Sequence, residues 1–270
     1  MKHNHRKNQA VAGVIEALLL VALAAIIIST IKLVYIPDVM EQRESDHMDD
    51  INNQYALLKS MIDLQSMTNS SSPISSMITL GSSELPYFIT ARSFGEIYVE
   101  EDANYQINID YNSYTYPLTS IVYNAKNTYF VDQTYVLQGG GFIVSQPTGL
   151  SVMRVAPSIS ATNGSDIDIT YTLPIFSGLE GKNYTYGSGS CFVRTSWSSG
   201  TTQSYSSVNS INITTDYPNA WNETLVDVLS ENVNIDVGND YIEITKKTTD
   251  INFNIRTYTI SVQIGLGWIK

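Results

Sequence analysis

The sequence contains one carboxylate in a place that demands an explanation. Glu16 interrupts an apolar run: Ala17 to Ile31 carries no charge, and widening the window to Ala10–Ile36 adds only Glu16 and Lys32. A carboxylate inside a bilayer costs about 2.5 kcal/mol or more and as a rule has a partner. Two outcomes are open to it. It pairs with a cation, such as a freed α-amino group that is charged near neutral pH, or it sits at headgroup depth and snorkels.

Other residues able to do chemistry are sparse. Cys191, in Gly-Ser-Gly-Ser-Cys-Phe-Val, alternates with polar neighbours and has no His nearby, so it reads as a half-buried strand cysteine rather than a reactive thiol. A single Cys excludes an intramolecular disulfide and a thiolate metal cluster. Of three His, two stand at positions 3 and 5; His47, between Asp46 and Met48, reads as a solvated helix residue and not a ligand. The acidic clusters Glu100-Glu-Asp102, Asp166-Ile-Asp168 and Asp236-Val-Gly-Asn-Asp240 match neither an EF-hand loop nor an RTX repeat, and read as acidic turns. There is no G-x-S-x-G, H-E-x-x-H or P-loop. The expectation is a chain with no catalytic, cofactor-binding or metal site, hence no cofactor. A carboxylate pair for glycoside hydrolysis leaves no short motif, so an anchored hydrolase stays open as a third reading. Five Asn-x-Ser/Thr sequons, at Asn69, Asn163, Asn183, Asn212 and Asn222, are candidate N-glycosylation sites; solvated turn residues are the alternative.

The composition narrows the class. In 270 residues, 15 Lys+Arg against 26 Asp+Glu give a formal charge of -11, which argues against a nucleic-acid partner because clustered cations must meet the phosphates. Charged residues are only 15%, while Tyr, Ser, Thr and Asn abound, the profile of an exposed β-rich ectodomain.

The apolar run is rich in Ala, Leu and Ile, and at about 1.5 Å per residue it is long enough to cross a hydrocarbon core of roughly 30 Å as a helix. Lys2, Arg6 and Lys7 precede it, while Asp38, Glu41 and Glu44 follow it. The positive-inside rule therefore places the short N-terminal end in the cytoplasm and the remaining chain outside. A secretory signal peptide has an h-region of roughly 7–15 residues ending at small residues; this run is longer and ends in Lys-Leu-Val-Tyr-Ile-Pro. A plain signal anchor remains an alternative. No second apolar run of that length occurs.

The stretch Ala10-Val-Ala-Gly-Val-Ile-Glu-Ala-Leu-Leu-Leu-Val-Ala behind its basic leader resembles the class III (prepilin-type) signal of archaeal type IV pilin-like proteins. It is similar to that family's Ala-Val-Ser-Pro-Val-Ile-Gly start, with Ala12 and Gly13 where the family has Ser and Pro. Glu16 and Leu20 resemble its Glu-x-x-x-Leu pattern. The resemblance covers roughly residues 6–36. It implies a processing site at Ala10 and Val11: a cut after Ala10 makes Glu16 the sixth residue, a cut after Val11 the fifth. It also implies a prepilin peptidase, an assembly ATPase with its membrane platform, and like subunits held through the N-terminal helix. Glu16, and Leu20 with it, would then act in assembly. The expected role is a structural subunit of a pilus-like filament, or a pilin-like surface protein, used for attachment. A second reading is a non-polymerising single-pass envelope protein with a glycan- or surface-binding sandwich, for which Tyr111–Tyr116 and Tyr184–Tyr186 would be stacking platforms.

The elements that must position these residues follow from pattern. Pro37 is expected to kink or interrupt the helix. From Asp38 to Met67 there is no Gly or Pro, and Met48, Ile51, Tyr55, Leu58 and Ile62 recur at spacings of 3, 4, 3 and 4. That seam faces either the chain's own β domain or another subunit. Thr68-Asn-Ser-Ser-Ser-Pro73 breaks the helix. Beyond it, short β-branched and aromatic runs alternate with turn clusters, among them Tyr87–Thr90 and Tyr129–Val131. Gly139-Gly-Gly141 and Gly238-Asn239 mark tight turns. Ser165–Ser210 reads as loop-heavy, with Ser198–Thr202 a hairpin tip, and one amphipathic helix carries Trp221, Leu225, Val228 and Leu229.

The expected fold is α+β: a long N-terminal helix, membrane-embedded then amphipathic, followed by an all-β sandwich-like ectodomain. Its divisions are a leader at 1–10, a transmembrane or polymerisation helix at 11–36, an extracellular helix at 37–68, a linker at 69–83 and the ectodomain at 84–270. The ectodomain is either one unit or two halves near 84–160 and 161–270. The expected location is the cell membrane, single-pass, with the ectodomain outside.

Overall fold

The computed structural model describes residues 2–82, 93–111, 113–147, 149–229 and 233–265, with side chains from residue 13 onward, Asn163 excepted. Helix α1 (Lys2–Thr30) passes through a five-residue π-helical turn (Ile31–Tyr35) into α2 (Ile36–Thr68). The helix is not interrupted at Pro37. An interior proline clashes with the carbonyl four residues back and cannot donate to it. The π turn, closed by Ile36 N–H on Ile31 O, widens the backbone just ahead of Pro37, which then occupies the first turn of α2. At the far end Asn69 is left-handed (φ 48°) and returns its N–H to Gln65 O, closing the helix.

The described strands, in chain order, are β1 (Ile74–Thr79), β2 (Phe94–Glu100), β3 (Gln106–Ile109), β4 (Tyr114–Pro117), β5 (Ser120–Lys126), β6 (Thr134–Gln138), β7 (Gly141–Ser145), β8 (Val152–Val155), β9 (Ser158–Asn163), β10 (Ile167–Gly178), β11 (Tyr184–Gly187), β12 (Ser190–Val208), β13 (Ser210–Thr214), β14 (Val233–Val237), β15 (Tyr241–Lys246) and β16 (Ile251–Ile264). Helix α3 (Pro218–Leu229) lies between β13 and β14. The strands form three sheets, ordered β1-β12-β16-β10-β9, β11-β2-β5-β6-β7-β8 and β14-β15-β13-β3-β4. The chain is therefore one long N-terminal helix followed by a β-rich region. The second and third sheets mix strands from both sides of residue 160, so the two suggested halves interleave.

Two hydrophobic cores share the first sheet, which presents opposite faces to them. Along β16, Ile251, Phe253 and Ile255 enter one core, whereas Tyr258, Ile260, Val262 and Ile264 enter the other. Side chains alternate at period two, so the change from odd to even positions moves burial to the other face. β10 does the same: Ile169, Tyr171 and Leu173 on one side, Phe176 on the other. The first core lies between α2, the first sheet and the second. The second core takes the opposite face of the second sheet, the third sheet, and Ala220, Trp221, Leu225 and Leu229 of α3.

Several local expectations are corrected. Ser198–Thr202 is no hairpin tip; it lies inside β12, whose pairing with β16 extends to Val208 with irregularities at Trp197/Ser199 and Tyr205/Val208. The long partner strand supplies hydrogen bonds that override the local turn preference of Ser and Gly. Likewise β10, β11 and β12 fill most of the stretch read as loop-heavy. The predicted linker contains β1, which pairs with Ser190–Thr195. Tyr129–Val131 is loop. Tyr87–Thr90 and the tail beyond Gly265 lie outside the described residues. Gly139 and Gly140 form the β6–β7 turn with φ of +57° and +81°, the two positive values a type I′ turn requires.

Candidate functional site

Large apolar side chains from Val14 to Ile28 are between 51% and 66% exposed, on every side of the helix. Among the described residues this is the one helix long and apolar enough to cross a membrane. Apolar surface of that extent is unstable in water and needs lipid or other helices around it. Glu16 is exposed within it and has no bond to a described residue; Leu20, one turn on, is exposed as well. Ala10 and Val11 fall in the α1 backbone, and their side chains lie outside the described set.

Where the apolar surface ends, the same helix becomes part of the β-rich region. Met48, Ile51, Tyr55, Leu58 and Ile62 are all buried in the first core, so the heptad-like seam faces the chain's own sheets. Ile36 and Met40 extend that stripe, and Glu44 continues it one turn later, fully buried. Its carboxylate is held by three successive backbone N–H groups: Thr128 donates to both oxygens at 3.1 Å, and Tyr129 and Phe130 each donate to Oε2 at 2.7 Å. Successive N–H groups pointing into one concavity form an anion nest, here occupied by the chain's own acid. Asn127 N–H on Asp132 Oδ1 (2.7 Å) and Asn127 Nδ2 on Val131 O (3.0 Å) brace the loop behind it. This explains why Tyr129–Val131 does not form a strand: the N–H groups of Tyr129 and Phe130 are spent on Glu44.

Further contacts lock α2 down. Tyr135 donates to Met48 O at 2.8 Å, and Gln54 holds both the N–H and the hydroxyl of Thr79. Gln65 Nε2 donates to Thr195 O at 2.8 Å, and Arg256 donates to Ser66 O and Asn69 Oδ1, both at 3.0 Å. The Tyr55 ring is surrounded by those of Tyr123, Tyr135 and Phe142, with centroids 5.8 to 6.2 Å away. His47 is not solvated as expected but only 6% exposed, because it shares the inward side of α2 with this cluster. Its Nε2 lies 3.2 Å from the Tyr123 hydroxyl, which itself donates to Leu80 O (2.9 Å), so the imidazole is the donor. Burial lowers the His47 pKa; the Leu80 carbonyl, Asp50 and Glu44 partly oppose that shift.

The sequence did not single out Glu44 as a functional residue. A usable signal was present, since Ile36, Met40, Glu44 and Met48 follow at intervals of four and place an acid on the apolar stripe. Cys191 lies on strand β12 as expected but is fully rather than half buried, and burial pushes its thiol up to about 12, which makes it a poor nucleophile. Of the acidic clusters, the first has internal partners, Glu101 accepting from Gly178 N–H at 2.5 Å and Asp102 from Asn104 N–H at 2.9 Å, while Asp168 and Asp236 lie in strands β10 and β14 rather than turns. Among the described residues no group of three His, Cys, Asp or Glu is placed to hold a metal ion.

The sequons divide by environment. Asn69 and Asn183 are exposed outside regular elements. Asn212 lies mid-strand in β13 between β15 and β3, half-buried, and Asn222 is half-buried on α3 with its Thr224 turned inward. Asn163 ends β9. Of the two aromatic stretches, Tyr184 and Tyr186 lie on the edge strand β11, where Tyr186 stacks on Phe94 at 5.7 Å. The other gathers around β4 and β12. Comparison with protein-family models, with curated proteins and with solved structures finds no match to this chain.

Proposed function

We propose that the chain is a structural subunit of an archaeal type IV pilus-like filament, or a pilin-like cell-surface protein, used for attachment. The observation that carries this reading is the division of one continuous helix: its apolar N-terminal part is exposed on all sides, while its C-terminal part is built into a β ectodomain. Such a helix passes force applied at the membrane directly to the outer domain, and the Glu44 nest fastens the joint. The lone acid at Glu16 fits helix stacking, since a neighbour's freed α-amino group would neutralise it. On this reading a prepilin peptidase removes the leader at Ala10 or Val11, and an assembly ATPase with its membrane platform stacks the apolar helices. The ectodomain faces outward and performs no catalysis.

Mass spectrometry of the mature N-terminus from native membranes tests this. A start at Val11 or Ala12 supports the proposal. An intact Met1 favours the non-polymerising single-pass reading, and a start beyond Tyr35 overturns both by releasing the ectodomain. Negative-stain imaging of sheared surface material, labelled with an antibody to this chain, separates a filament subunit from a dispersed surface protein.

A further inference from the structure

β1 covers β12 only from Ser190 to Thr195, so the remainder of β12 has one lateral edge unpaired among the described strands. The stretch Ser196–Val208 contains no charged residue, in a chain whose formal charge is -11. Strand edges exposed to water are ordinarily guarded by charges, Lys above all. Here the guard is aromatic. Tyr114 and Tyr116 project from one face of the edge strand β4, two residues apart, and meet Gln203 and Tyr205, two residues apart on β12.

The meeting is tightly organised. The Tyr114 and Tyr205 rings have centroids 4.3 Å apart at 41°. The Tyr116 hydroxyl lies 2.6 Å from both Gln203 Oε1 and the Tyr205 hydroxyl, and Tyr205 also donates to Gln203 Oε1. Gln203 Oε1 is thus occupied twice, while its amide nitrogen bonds to no described residue and Gln203 is exposed. Tyr114 is 50% exposed. Tyr111, at the tip of the same β3–β4 hairpin, is 81% exposed and left-handed (φ 51°), as is Asp110 before it (φ 47°), a conformation uncommon outside glycine. The acids nearby are engaged within the fold: Asp110 accepts from Asn209 and Ser210 N–H, and Asp250 from Lys246.

We infer that Tyr114, Tyr205 and Gln203, with Tyr111 beside them, form a binding site for a neutral carbohydrate. The faces of pyranose rings carry aliphatic C–H groups that pack on electron-rich aromatic faces, and their hydroxyls accept hydrogen bonds from a side-chain amide. Rings already fixed by a hydroxyl network lose little freedom on binding, so a ligand that makes few contacts, such as a short stretch of an oligosaccharide, can still bind. The lack of charge in the platform selects a neutral glycan over an anionic polymer or a basic peptide. From the proposed function the inference takes only the outward placement of the ectodomain. The assay below uses unassembled protein, so it reads the site whether or not the chain polymerises.

The test is saturation-transfer NMR on the full chain in detergent, with mannohexaose, maltoheptaose and N-acetylchitohexaose as neutral probes and polygalacturonate as an anionic one. The expected result is transfer from tyrosine ring protons to at least one neutral oligosaccharide and none to polygalacturonate. Y114A and Q203A should each weaken binding about tenfold, while L150A, which trims an exposed aliphatic side chain between β7 and β8, changes nothing. Circular dichroism and unfolding profiles like those of the unaltered chain show that the variants fold. The proposal is overturned if no neutral probe receives saturation, if Y114A binds as well as the original, or if the platform variants instead abolish a self-association seen by sedimentation. That last result would make the tyrosines a contact between copies.

Discussion

The carboxylate of Glu44 lies 2.7 Å from the backbone nitrogen of Phe130, a residue 86 positions further along the chain, and the same oxygen accepts from Tyr129. This contact ties the first stretch of α2 beyond the apolar segment to the β5–β6 loop. Replacing Glu44 by Ala removes the charged acceptor shared by three half-buried or exposed backbone donors, at a cost of about 1–3 kcal/mol. Glu44→Gln keeps one acceptor oxygen but loses the charge, so it should fall between Ala and the original. Thermal unfolding of the full chain in detergent reads the order. Hydrogen exchange at Thr128, Tyr129 and Phe130 should quicken in both variants; unchanged exchange there would show that the loop holds its shape without the acid.

His47 should make the β-rich region less stable in mild acid. Its folded pKa is below the ordinary value of about 6.5, with burial as the main cause. As pH falls through 6.5 the unfolded chain takes up the proton first, so stability declines until pH has passed below the folded value. The contribution is complete above pH 6.5 and is lost toward acid. In melting curves between pH 7.5 and pH 5, the original chain should therefore lose more than His47→Gln, which cannot titrate. Parallel curves would mean that other groups set the acid response.

The β6–β7 turn offers a steric test. A Cβ on Gly139 would stand 2.6 Å from the Tyr171 hydroxyl and 2.7 Å from the Trp221 ring, whereas one on Gly140 meets the Pro174 ring at 3.3 Å and Thr172 O at 3.6 Å, without a clash. Both glycines have positive φ, so both Ala variants carry backbone strain, but only Gly139→Ala also overpacks the core, at about 1–3 kcal/mol more. The difference should appear as a lower unfolding midpoint for Gly139→Ala. If Gly140→Ala is the worse of the two, the Tyr171–Trp221 wall is softer than the packing implies.

The sequence showed the elements whose signals are local and periodic. The apolar helix, the stripe from Met48 to Ile62, α3 and the two glycine-marked turns follow from spacing alone. It concealed features that depend on a distant partner. Ser198–Thr202 has the composition of a turn and becomes strand because β16 runs alongside it. Tyr129–Val131 has the composition of a strand and becomes loop because Glu44 takes the N–H groups of Tyr129 and Phe130. His47, next to Asp46, looks solvated until α2 is laid against Tyr123. The tyrosine platform belongs to the same group. Tyr111–Tyr116 was legible as an aromatic stretch, but Gln203 and Tyr205 join it only through the meeting of two sheet edges.

Glu16 and Leu20 present neighbouring positions on the exposed apolar helix, one turn apart, with no partner for the acid in its own described chain. Two forces act there, and substitution separates them. Membrane insertion depends on the length and apolarity of the segment, and Glu16→Gln, by removing a charge, should insert at least as well. Stacking of helices, on the proposed reading, depends on the charge itself, because only a carboxylate pairs with a neighbour's α-amino group. Glu16→Gln should therefore reach the membrane at normal abundance, show the same processed N-terminus, and yield few or no filaments in sheared material. Leu20→Ala keeps the charge and trims only packing, so it should assemble in reduced amount. Normal filaments from Glu16→Gln would sink the pairing argument and leave Glu16 as a headgroup-depth residue whose side chain snorkels.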